Sequence, residues 1–105
     1  MTAIVVCIPR AKQAEVEREE ADVARRIAAG ERGITYYWTL SRVPRQSVER
    51  VYFLWNGSIR AYHRCLDMLH GPPRAILDPQ IVELPEPVPM RSFRGFRYWT
   101  PPDSP

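Results

Sequence analysis

The chain has 105 residues, 45% of them hydrophobic and 26% charged, and a net charge of +3. That length holds one small core and excludes two. The composition excludes a disordered chain, and no apolar run approaches the roughly 20 residues that cross a bilayer. Of the 15 basic residues only Lys12 is a lysine. Arginine suits phosphates and base edges, and the same bias follows from a GC-rich genome or from selection for heat stability.

Ala3 to Ile8 is β-branched and apolar and reads as a buried strand that ends at Pro9. Met1 to Ile8 is short and lacks a basic flank, so it does not read as a signal peptide, and a cytoplasmic protein is expected. Arg10 to Ala29 reads as a helix. Val16, Val23 and Ile27 form its apolar stripe, the acids come early and Arg25 and Arg26 late, and Gly30 stands at its C-terminal end. Residues 1–30 carry five basic and five acidic side chains, so the whole positive excess lies beyond them. Ile34 to Leu40 reads as a strand with Ile34, Tyr36, Trp38 and Leu40 on one face. That company favours the core for Tyr36 and Trp38. Ser41 to Ser47 is a loop.

Val51–Trp55, Asn56-Gly57 and Ser58–Tyr62 form a hairpin signal with a type I′ turn. A two-residue turn pairs Trp55 with Ser58, Leu54 with Ile59, Phe53 with Arg60, Tyr52 with Ala61 and Val51 with Tyr62. One face then reads as core and the other as aromatic and basic. Nine of the 11 prolines lie from Pro72 onward, which argues for short edge strands at Ile76-Leu77 and Ile81–Leu84. A turn at Gly95 leads into a closing strand ending at Trp99. Residues 101–105 read as a flexible tail after a single domain over 1–100. One helix and many short strands suggest an α+β fold, a small mixed barrel with the helix packed on it. Cys7 and Cys65 read as reduced thiols, and no metal site or cofactor is expected.

Ile27-Ala28-Ala29-Gly30-Glu31-Arg32-Gly33-Ile34-Thr35 resembles the helix-to-strand signature of the ASCH domains, within the PUA-like superfamily. There an apolar residue precedes Gly-x-Lys-x-x-Glu-x-Arg entering a strand. The closing Phe93-x-Gly95-Phe96-Arg97-Tyr98 resembles the last barrel strands of PUA-like proteins. Gly30 holds the family glycine, Arg32 the lysine position, Thr35 the acidic position, as in the acetylcytidine-type amidohydrolases, and Tyr37 the position of an arginine. In those hydrolases the lysine and threonine are associated with catalysis. Arginine does not lose its proton at ordinary pH, so Arg32 favours anion binding over hydrolysis.

The resemblance implies recognition of RNA or DNA, RNA first, or of a modified base or nucleotide-like ligand. Residues 41–64 supply five arginines against Glu49 alone, and aromatic rings beside them offer stacking surfaces. Gly30, Arg32, Thr35, Tyr37, Trp38, Trp55, Arg60, Tyr62, Arg64 and Arg97 are the expected binding residues. Two other readings stay open. One is a hydrolase of nucleosides or RNA using Thr35, an unassigned carboxylate (Glu83 by chain order) and His63. The other is a non-enzymatic interaction module, dimeric through the proline-rich strands. No membrane partner is expected, and both monomer and homodimer are compatible with the sequence.

Overall fold

The computed structural model describes residues 1–102. It is an α+β fold of one long helix and a seven-stranded mixed sheet. In chain order the strands are β1 (Ala3–Cys7), β2 (Tyr36–Thr39), β3 (Arg50–Trp55), β4 (Ser58–His70), β5 (Pro73–Leu77), β6 (Val82–Pro89) and β7 (Phe96–Trp99). A 3₁₀ turn over Arg10–Lys12 leads into α1, Gln13–Ala28.

The hydrogen-bonded path runs β2-β5-β4-β3-β1-β7, with β6 also on β4. β1 and β3 are parallel; every other pair is antiparallel. β5 and β6 pair with successive halves of the long β4. β2 and β7 end the path, and among the described residues no backbone ladder joins them. The ladders therefore do not show the closed barrel expected from the sequence, although residues of β2 and β7 share one core.

Both faces of the central strands are covered. Ile4, Val6, Val51 and Phe53 face α1 in a core completed by Val23, Tyr36, Leu40, Leu77 and Phe96. The alternate residues Ala3, Val5, Tyr52 and Leu54 face a second core with Ile59, half-covered by Leu84, Val88, Phe93 and Trp99. Central strands buried on two sides read as continuous apolar runs. This is why Val51 to Leu54 shows no alternation, and why Val51 and Phe53, on the face read as aromatic and basic, are buried in the first core.

The Asn56-Gly57 turn forms as its sequence demands, with φ of 53° and 76°. Trp55–Ser58 and Leu54–Ile59 pair as expected, but the register then shifts. Phe53 opposes Ala61, Tyr52 opposes Tyr62 and Val51 opposes His63, in place of the expected Arg60, Ala61 and Tyr62. The extra residue is Arg60. One inserted residue moves all that follows to the other face, so Ile59 packs in the second core while His63 turns toward α1.

Other corrections are smaller. The helix begins as a 3₁₀ turn, and the second strand keeps only Tyr36–Thr39 of the expected Ile34–Leu40. β6 is longer than expected and carries Pro85, Pro87 and Pro89. The Met90 N–H reaches back to the Gly57 carbonyl at 3.1 Å. A proline nitrogen has no N–H, so three of the eight residues of β6 offer no donor to another strand. Pro101 is buried, so the chain is held to that point; residues 103–105 of the expected tail lie outside the described residues.

The helix ends in a Schellman motif. The Gly30 N–H bonds the Ile27 carbonyl at 2.9 Å and the Glu31 N–H bonds that of Arg26 at 3.0 Å. Gly30 has φ of 82°, a region that costs an L-residue about 1 kcal/mol or more. Gly30→Ala is expected to lower unfolding stability by about 1 kcal/mol in urea titration. A neutral result would mean that this turn relaxes without cost. No helix among the described residues is long and apolar enough to cross a membrane.

Candidate functional site

Three concavities divide the expected binding residues. The first is a seam of about 680 Å³ between α1, β2 and the Gly95 turn before β7, lined by Thr35, Tyr37 and Trp38. Tyr37 is exposed, with Arg74 over its ring at 5.2 Å. Trp38 is half-buried and packs edge-on against Phe53, with ring centres 5.1 Å apart. Tyr36 and Trp38 thus belong to the core face, as their spacing favours.

The second is a cavity of about 540 Å³ between α1, the β3–β4 hairpin and β6, lined by Trp55 and Arg60 together with Glu17, Glu20 and Glu83. The third is a groove of about 1000 Å³ between the 44–50 segment and β4, holding Tyr62 and Arg64 with Arg45, Arg50 and His70. Gly30, Arg32 and Arg97 line none of these three. Arg97 covers the Phe93 ring at 4.6 Å.

The groove is built from both cores. Tyr98 on β7 accepts the Arg45 and Gln46 N–H groups at 2.7 and 3.2 Å, which pins the 44–47 wall. On the floor, Arg50 donates to the Tyr52 hydroxyl at 2.9 Å and lies 4.4 Å over the Tyr62 ring. Tyr52 in turn packs against Tyr62 and Trp99, each with ring centres 4.9 Å away. Arg45 and Arg64 are exposed, and among the described residues no carboxylate lies within 4 Å of either guanidinium. Glu49 and Asp67 are the two acids on the groove wall. Cys65 also lines it; burial pushes its thiol up from the usual value of 9.0, which keeps it protonated and a poor nucleophile near neutrality.

The buried polar centre lies on the other side of β4. His63 is fully buried. Its Nδ1 lies 2.7 Å from the Asp78 carbonyl and its Nε2 2.7 Å from Glu20 Oε1. The carbonyl only accepts, so Nδ1 carries a proton and donates. The Tyr36 hydroxyl donates to the same Glu20 oxygen, and its ring lies against His63 at 4.8 Å. Burial first, then this bond to Glu20, raises the Tyr36 hydroxyl above its ordinary 10.0.

Reading the residues in isolation missed Glu20. It sits between Val16 and Val23 on the apolar stripe of α1, and a carboxylate there needs a buried partner. That position was the available signal; the sequence counted Glu20 only among the acids near the helix start. The hydrolytic set is not assembled. Thr35 lines the seam, Glu83 the cavity under the helix, and both ring nitrogens of His63 are occupied. Comparison of the chain with family models, curated proteins and solved structures finds no significant match.

Alkali should loosen this fold. Tyr36 and Cys65 are both held neutral, with pKa values raised above those of the unfolded chain. The unfolded state loses their protons first, so stability is full below about pH 9 and falls as pH rises beyond 9 to 10. Urea titrations from pH 7 to 11 are expected to show this fall. Cys65→Ser should flatten its early part and Tyr36→Phe its later part; unchanged slopes in both variants would refute the assignment.

Proposed function

We propose that the protein binds single-stranded RNA through the groove between residues 44–50 and β4. The observation that carries this reading is the convergence of Arg45, Arg50 and Arg64 on one concave surface floored by Tyr62. Guanidinium forks match phosphate oxygens, and unpaired bases stack on guanidinium planes as well as on aromatic rings, a surface that Arg50 over Tyr62 offers. Leu66, 60% exposed at the second register shift of β4, offers a further apolar contact on the same wall. A rigid duplex gains nothing from a stacking floor, so unpaired strands are favoured.

This reading keeps Tyr62 and Arg64 and adds Arg45 and Arg50. Trp55 and Arg60 are left out, because three carboxylates share their cavity and repel phosphate. The resemblance to ASCH and PUA-like domains supports nucleic-acid binding, and the free thiols of Cys7 and Cys65 fit a cytoplasmic site of action. The substitution of Arg32 at the lysine position supports binding without hydrolysis.

Anisotropy titration of a labelled ten-nucleotide RNA is expected to give saturable binding, with Kd roughly micromolar at low salt. The same strand annealed into a duplex should bind more weakly. No binding at low salt, or a preference for duplex, would overturn the proposal.

A further inference from the structure

The cavity under α1 is left unused by RNA binding, yet it is the place where the buried polar centre meets open space. Glu20 is 18% exposed. Its Oε1 takes the bonds of Tyr36 and His63, while its Oε2 receives none among the described residues. The carboxylate is thus fixed from behind, by a fully buried imidazole and a buried ring. Oε2 is an acceptor whether the shared proton sits on Nε2 or on Oε1.

Phe53 and Trp55 give the same cavity aromatic walls, and its volume of about 540 Å³ suits a small organic ligand. Carboxylates alone would serve a hydrated metal ion as well. Aromatic walls select instead a cation carried on an apolar body. Arg60 already shows that the Trp55 face accepts a cation. Its guanidinium lies 6.0 Å from the ring centre, with Nε on Ser58 Oγ at 3.0 Å. With Glu17 and Glu83 against this one arginine, the lining disfavours anions.

We propose that this cavity binds a small aromatic primary ammonium ion. The ammonium group donates to Glu20 Oε2, and the aromatic body lies against Trp55 in place of Arg60. The site is separate from the RNA groove, so failure of one does not bear on the other.

The test is titration with benzylammonium, followed at the Trp55 indole N–H by nuclear magnetic resonance and assigned with Trp55→Phe. Benzyl alcohol and benzoate serve as the neutral and anionic controls. Benzylammonium is expected to saturate the shift, with benzyl alcohol at least about tenfold weaker, the usual gain from a hydrogen bond to a charged group. Glu20→Gln should weaken binding by a similar factor. Arg60→Ala changes an exposed side chain with no part in either core, so it keeps the test decisive if Glu20→Gln unfolds. It should tighten binding about threefold by removing a competitor for the ring. Equal responses to benzylammonium and benzyl alcohol, or weaker binding in Arg60→Ala, would overturn the proposal.

Discussion

His63→Leu is expected to destabilise the protein by roughly 3 kcal/mol, because it strips one partner from a buried polar pair and leaves the other. Glu20 would keep the Tyr36 hydroxyl and its limited access to solvent, and the Asp78 carbonyl would lose its donor. Removing both partners is a different experiment. Glu20→Leu with His63→Leu extends the stripe of Val16, Val23 and Ile27 and is expected to recover most of the loss, since apolar replacement of a buried pair is often neutral or stabilising. Urea unfolding of the two single variants and the double measures their coupling. Equal additive losses would mean that Glu20 and His63 stabilise the fold separately, contrary to the bonded centre described above.

Tyr52→Ala should cost about 4 kcal/mol, the range for deleting a buried aromatic ring. Tyr52 is fully buried at the centre of the sheet. Its ring supports Tyr62 and Trp99, and its hydroxyl accepts from Arg50. Tyr52→Phe keeps the ring and removes the hydroxyl. A stability loss near 1 kcal/mol is expected there, together with weaker RNA binding, because Arg50 is then less firmly held over Tyr62. Retention of full RNA affinity in Tyr52→Phe would separate the core from the groove floor.

The local signals of the sequence carried well into the fold. Asn56-Gly57 dictated its turn, Gly30 its helix end, and the apolar run Ala3–Ile8 its central strand. Tyr36 and Trp38 fell on the core face that their spacing favoured. The hairpin register was legible only to Leu54. Nothing local marks Arg60 as a bulge; it is long-range packing that turns Ile59 to one core and His63 to the other. That single shift decides which β4 side chains reach the groove and which meet α1. The expected binding residues combine the motif positions Gly30, Arg32, Thr35 and Tyr37 with nearby arginines and aromatic rings, yet a sheet distributes neighbours in sequence to opposite faces. Tyr62 and Arg64 therefore share the groove, Trp55 and Arg60 an acidic cavity, and Thr35, Tyr37 and Trp38 the seam. The pairing of Glu20 with His63 spans 43 positions. Only the odd placement of a carboxylate on an apolar stripe hinted at it. Whether β2 and β7 meet was likewise not legible, since strand count alone does not say whether a sheet closes.

RNA affinity measured against salt, for the natural chain and for Arg45→Ala with Arg64→Ala, tests the central claim most directly. Each phosphate neutralised on a single strand contributes about 0.7 to the slope of log affinity against log salt. Both side chains are exposed, so the fold should survive their truncation. The double variant is expected to bind more weakly and to lose roughly 1.4 units of that slope. An unchanged slope and affinity would contradict binding at this groove.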